Sequence, residues 1–154
     1  IIFLDYKVDI FIRNAEKKDS LLLFKWFNED DSLKFKIKTQ KRISIENHNK
    51  WFDERLLDIK TYIWIIQDKN NNPIGQIRFQ KLDEEFYDID IYIARENRKK
   101  GIASKALSLA ENKAGVKSLR AIVNNNNNTS RVFFLKNGFK INLENKSFIQ
   151  LVRN

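Results

Sequence analysis

Apolar residues recur at every second position of Val8-Asp-Ile-Phe-Ile-Arg13 and of Tyr87-Asp-Ile-Asp-Ile-Tyr-Ile93. That two-residue period is the mark of a strand with one face in a core. Apolar runs at 61–67 and 74–80 flank the polar stretch Asp68-Lys-Asn-Asn-Asn-Pro73, and together they read as a hairpin. Further strands are expected at 118–123, 139–142 and 148–152. Asp19 is placed to cap a helix over 20–27, and Asn28-Glu-Asp-Asp-Ser32 supplies turn-forming residues at its end. The stretch 34–42 is ambiguous and reads as loop. Ser44 caps a second helix over 45–57, with Ile45, His48, Phe52 and Leu56 on one side and Trp51 and Arg55 flanking. A third helix, 104–113, ends near Gly115. A fourth, 130–137, follows the polar run at 124–128 and is capped by Gly138. The order β-α-α-β-β-β-α-β-α-β-β predicts a mixed sheet with helices on both faces.

At 154 residues and 42% apolar, the chain fits one compact domain spanning 1–154 with a real core. It begins at Ile1 and contains no Met, which suggests a domain cut from a longer polypeptide. The absence of Cys removes disulfides, thiolate zinc sites and Cys nucleophiles, and fits a reducing, cytoplasmic setting. The longest apolar runs are too short to cross a bilayer, so no membrane role is expected. A net charge of +9 suits an anionic partner or simply a solvated basic surface. The basic residues are spread along the chain, which argues against a nucleic-acid stripe.

The strand at 87–93 runs into Arg98-Lys-Lys-Gly101-Ile-Ala103 and then into a helix. A strand, a Gly-containing turn and a helix start together present free backbone N–H groups and the positive end of a helix dipole, which suits phosphate. Lys99, Lys100 and Lys105 are candidates for outer phosphate contacts or ordinary solvated charge. Further on stands Asn127-Asn-Thr-Ser130-Arg-Val-Phe133-Phe134-Leu-Lys136-Asn-Gly138-Phe139.

These two motifs, with one strand between them, resemble the CoA-binding half of the GNAT superfamily of acyl-CoA-dependent N-acetyltransferases. The resemblance covers essentially the full length. It implies the GNAT α/β (α+β) fold: a mixed, mostly antiparallel sheet of about seven strands with a central parallel splay, flanked by about four helices. It also implies acetyl-CoA as co-substrate, direct transfer to an amine and no metal. Pantetheine would lie between the splayed strands against Ile91 and Ile93. Arg98, Lys99, Lys100, Gly101, Ile102, Ala103 and Ser104 would bind the cofactor, the amides from about Lys99 to Ser104 holding the pyrophosphate. Asn127 and Ser130 would bond the pantetheine arm, or merely cap a helix. Phe134 departs from the family pattern, in which many members carry a Tyr that protonates the leaving thiolate.

Trp26-Phe-Asn28, Glu46-x-His48-x-x-Trp51 and Ile74-Gly75-Gln76-Ile77-Arg78 resemble the acetyltransferases acting on nucleotide-linked aminodeoxysugars of the pseudaminic and legionaminic acid pathways. Under that resemblance Trp26, Asn28, Glu46, Trp51 and Arg78 contact the acceptor, an anionic nucleotide sugar, unless Arg78 pairs with a carboxylate and the tryptophans pack in the core. His48, the only His, takes the amine proton or simply packs under its helix. Asp88, or more weakly Asp90, drains that proton or stays a solvated strand residue. The rival acceptors are a protein N-terminus of the ribosomal-protein type and a small amine. A non-catalytic acyl-CoA-binding module is the reading from another class, and a homodimer is allowed for.

Overall fold

The computed structural model describes residues 8–37 and 41–154; residues 38–40, within the stretch read as loop, lie outside the described residues. Among the described residues, seven strands form one sheet in the order β1-β2-β3-β4-β5-β7-β6. They are β1 (Ile10–Asn14), β2 (Thr61–Asp68), β3 (Pro73–Lys81), β4 (Tyr87–Ile93), β5 (Leu119–Asn124), β6 (Lys140–Glu144) and β7 (Phe148–Arg153). Five α-helices accompany them: α1 (Ser20–Phe27), α2 (Asp30–Lys34), α3 (Ile45–Leu57), α4 (Ile102–Ala114) and α5 (Asn128–Lys136). All neighbours are antiparallel except β4 and β5. This is the mixed GNAT-type sheet expected from the sequence.

Alternation along the strands divides the apolar side chains between two faces. Ile12, Trp64, Ile77, Phe79 and Ile89 meet Ala106, Leu107 and Ala110 of α4 in the larger core, which also takes Phe134 of α5. Ile63 and Ile65 of β2 meet Leu23 and Trp26 of α1 and Phe52 of α3 in the smaller one. Small residues on α4 let that helix lie close to the sheet, and apolar burial on both faces supplies the main stabilisation.

Local outcomes differ from the sequence reading: Asp19 precedes α1 without a side-chain cap bond, and α5 starts at Asn128 instead of 130. The stretch 28–32, expected as a turn, leads straight into α2, whose first turn carries Asp30 and Asp31 and whose Leu33 is buried. Acidic residues there complement the helix dipole, and Leu33 anchors the short helix to the core. Helix α4 begins at Ile102 instead of 104, directly after Gly101 at φ 74°.

Strands β4 and β5 pair only at Tyr87↔Leu119 and Asp88↔Arg120. Beyond Arg120, β5 continues along β7, while β4 stays with β3 as far as Gly75↔Ile93. The sheet is therefore split in its centre, and the split opens toward the C-terminal end of β4.

Candidate active site

The β5-facing edge of β4 is fixed by what its other groups do. Tyr87 N–H donates to Ser118 O across the β4–β5 pairing, and Ala94 N–H donates to Ile74 O on the opposite side. Backbone groups alternate along a strand. The N–H and C=O of Ile91 and Ile93 therefore face the split, where β5 no longer meets them. A chain with its own donors and acceptors fits there as an eighth strand. Arg98 closes the far end: its Nε donates to Ile93 O at 2.8 Å.

The chain then enters a turn with two left-handed residues, Lys99 at φ 62° and Gly101 at φ 74°. A non-glycine in that region is disfavoured and tends to persist at sites of function. A Cβ at Gly101 would meet nothing within 4 Å, so the exposed turn has room above it. The 13-residue helix α4 follows, its first amides and dipole directed at this turn. Lys99 and Lys100 are exposed, Ile102 is buried, and Ala103 and Ser104 are half-buried. Ser104 Oγ accepts from Asn137 at 3.1 Å, which ties α4 to the end of α5. Lys105 does not join the turn: its Nζ donates to Val8 O at 2.8 Å, because its helical position points it toward the start of β1.

Asn127 is the N-cap of α5, its side chain accepting from Ser130 N–H at 3.2 Å. Both residues are only half-buried beside the end of β5. Phe134, 6% exposed, packs at 5.0 Å from both Phe133 and Phe139. It is a core side chain, and it offers no proton.

On the α1–α3 face of the sheet, the β3–β4 register sets Gln76 opposite Tyr92, Arg78 opposite Asp90 and Gln80 opposite Asp88. Arg78 lies over Trp51, with Cζ 5.0 Å from the ring centroid. Asp90 is exposed and accepts from Gln76 Nε2 at 2.7 Å. Asp88 is instead bound by Arg120, Nε to Oδ1 at 2.6 Å, and Arg120 also reaches Asp83 at 2.7 Å. That ion pair spans the last β4–β5 rung and holds the base of the split together.

Several residues singled out from the sequence hold structure here. His48 is 2% exposed, its Nε2 pairs with Ser20 O at 2.9 Å, and its ring stacks on Phe52 at 5.9 Å. Burial lowers its pKa, with the Ser20 carbonyl pulling the other way. In this setting the imidazole ties α3 to α1 and faces no opening. Asn28 is buried and clamps Ile43 through Oδ1 to N at 2.7 Å and Nδ2 to O at 3.2 Å. Trp26 is buried against Tyr92, 5.1 Å between centroids. Glu46 is exposed on the first turn of α3.

The sequence did not single out the residues that link the α1–α2 segment to β4. Tyr92 donates a short hydrogen bond to Glu29, and burial followed by that carboxylate pushes its phenol pKa upward. Asp31 bridges Arg95 at 2.9 Å and Arg98 at 3.1 Å, and its pKa is lowered by Arg98 and then Arg95. An open groove of about 650 Å³ adjoins them, lined by Trp26, Asn28, Glu29, Arg42 and Arg95 among others. It lies between the α1–α2 segment and residues 94–96, just after β4. Among the described residues, no cluster of His, Cys, Asp or Glu suits a metal ion, and no helix is long and apolar enough to cross a membrane.

Residues 9–140 match the family described as Acetyltransferase (GNAT) domain, and the chain belongs to that family. It is an enzyme of the acyl-CoA N-acyltransferase class. A domain from Methanocaldococcus jannaschii superposes with TM-score 0.80 at 23% identity, covering 95% of this chain and 99% of that one. An acetyltransferase from Thermus thermophilus gives TM-score 0.79 at 18% identity, covering 95% and 97%. Spermidine N-acetyltransferase from Vibrio cholerae, solved with CoA and spermine, gives 0.77 at 14% identity, covering 93% and 94%. No curated protein matches the sequence.

Proposed function

We propose that the enzyme transfers the acetyl group of acetyl-CoA directly to the amine of a nucleotide-linked aminodeoxysugar. The observation that carries the CoA half is the split between β4 and β5, which leads straight to the left-handed turn at the head of α4. Pantetheine takes the place of the missing strand pairing against Ile91 and Ile93. The amides from about Lys99 to Ser104 receive the pyrophosphate, with the Lys99 and Lys100 side chains outside it, and Asn127 and Ser130 border the arm.

The step forms a nitrogen–carbon bond and breaks the thioester carbon–sulfur bond, whose electron pair leaves on sulfur. Strand amides of β4 polarise the thioester carbonyl. The amine must first be neutral. Of the groups considered for its proton, Asp88 is bound by Arg120 and His48 is enclosed, whereas Asp90 is exposed on the acceptor face beside the split. Asp90 therefore takes the proton, directly or through water. Phe134 offers no proton, and a thiol with a reference pKa of about 8.5 is a tolerable leaving group near neutrality.

The acceptor reading rests on Arg78 over Trp51, a basic and aromatic wall suited to an anionic ligand. The test is thiol release from acetyl-CoA with a UDP-linked 4-amino-4,6-dideoxysugar, an N-terminal peptide and spermidine side by side. Turnover on the nucleotide sugar alone is expected. Turnover only on peptide or spermidine would overturn the acceptor, and acetyl-CoA binding without any turnover would point to a binding module.

A further inference from the structure

Arg78 and Asp90 stand directly opposite each other on one face of the β3–β4 pair. Cross-strand Cβ atoms so placed lie about 5 Å apart, and opposite charges there ordinarily close on each other. Among the described residues no ion pair joins these two. The Arg78 guanidinium lies over Trp51 at 5.0 Å, and the Asp90 carboxylate takes the Gln76 amide at 2.7 Å. Gln76 is 0% exposed and its Oε1 has no hydrogen-bond partner among the described residues. Its nitrogen must face Asp90, because a carboxylate only accepts. A fully buried side chain thus spends its one bond on holding the Asp90 carboxylate.

Lys36, just after α2, adds a second cation to the same place. It is half-buried, and its ammonium makes no hydrogen bond or ion pair with the described residues. Its pKa is lowered by burial first; the Asp90 charge opposes that and the Arg78 charge adds to it. Two cations and one carboxylate are therefore grouped here, and neither cation forms an ion pair among the described residues.

We propose that Arg78, with Lys36 beside it, holds an anionic group carried by the acceptor, phosphate or carboxylate, while Asp90, held by Gln76, faces the acceptor's amine. The inference rests on the acetyl-transfer reading and narrows it by charge. The acceptor is an amine that carries its own anion, and a polyamine is disfavoured because Arg78 and Lys36 repel its additional positive charges.

The experiment uses the purified chain with acceptors in pairs that differ only in the anion. One pair is the aminosugar 1-phosphate and the free aminosugar; another is an amino acid and its amide; spermidine stands alone. Wild-type kcat/KM is expected to be at least about tenfold higher for the anion-bearing member of one pair, and which pair responds tells phosphate from carboxylate. Arg78→Gln is expected to raise the acceptor KM roughly tenfold to a hundredfold, keep the acetyl-CoA KM within about twofold, and bring the ratio within the pair close to one. Lys36→Met is expected to reduce the same ratio by a smaller factor and guards against a folding defect in the first variant. An undiminished ratio in both folded variants overturns the proposal, as does spermidine being the best acceptor. Acetyl-CoA binding with no turnover on any acceptor also overturns it and leaves the cofactor reading intact. Absence of acetyl-CoA binding in calorimetry overturns the transfer reading itself.

Discussion

Four polar side chains among the described residues are buried, Asp19, Asn28, His48 and Gln76, and each does a specific mechanical job. Asp19, 5% exposed, takes two guanidinium nitrogens of Arg13 at 2.7 and 2.8 Å and the Glu16 N–H at 2.8 Å. Burial alone would raise its pKa; the Arg13 and Glu16 bonds outweigh that and lower it. Asp19→Ala leaves a partly enclosed guanidinium without its partner and is expected to cost about 2 kcal/mol, read from urea unfolding. His48 gives a cleaner signature, because it is the only His in the chain. Its folded pKa lies below the unfolded value of about 6.5, so the unfolded state binds the proton first. Stability is therefore level above pH 6.5 and falls as pH drops through the window below it, by at most about 1.4 kcal/mol per pH unit. His48→Gln is expected to flatten the curve between about pH 5 and 6.5, before the carboxylates titrate. A slope unchanged by the substitution would show that the imidazole does not titrate on unfolding.

At the scale of elements, periodicity placed every strand within two residues of where it lies, because each has one face against a core that the pattern records directly. Gly101 and the run ending at Ile93 marked the turn for the same local reason. The short helix α2 escaped notice because its acidic residues also favour turns, and only the burial of Leu33 decides between the two. The split between β4 and β5 was available only through the family resemblance, since hydrogen-bond pairing between distant strands leaves no periodic trace. Asn28, read as an acceptor residue, and His48, read as the base, are both buried here: a buried polar tether and a site residue use the same side chains. Gln76 did leave a signal, a polar residue at an inward position of an apolar strand. Gly75 left one as well. A Cβ there would stand 2.3 Å from Tyr92 O, so β3 could not keep its register beside the edge that lines the split. Gly75→Ala is expected to cost about 2–4 kcal/mol and to lower acetyl transfer further by displacing β4. Gly101→Ala, with nothing within 4 Å, pays only for its φ of 74° and is expected to cost about 1 kcal/mol. Equal losses from the two substitutions in thermal unfolding would contradict this assignment of steric and conformational causes.

For the molecule as a whole, the net charge of +9 acts in two directions that salt separates. Self-repulsion among 29 basic residues works against the compact state, and screening relieves it. A polyanionic ligand seated at the head of α4 draws on the same excess charge, and screening weakens that attraction. Acetyl-CoA that binds only the folded chain at about 100 times its Kd adds about 2.7 kcal/mol of stability. For a chain of this size that corresponds to a rise in Tm of roughly 5–10 °C. Raising salt from about 0.05 M to about 0.5 M is therefore expected to raise the ligand-free Tm slightly while shrinking the shift caused by a fixed concentration of acetyl-CoA. The two trends have opposite signs in one differential scanning experiment, so a general effect of salt on the protein cannot imitate both. A ligand shift that grows with salt would show that apolar contact along the split, and not the phosphate turn, dominates binding. No shift at either salt would remove acetyl-CoA from the account.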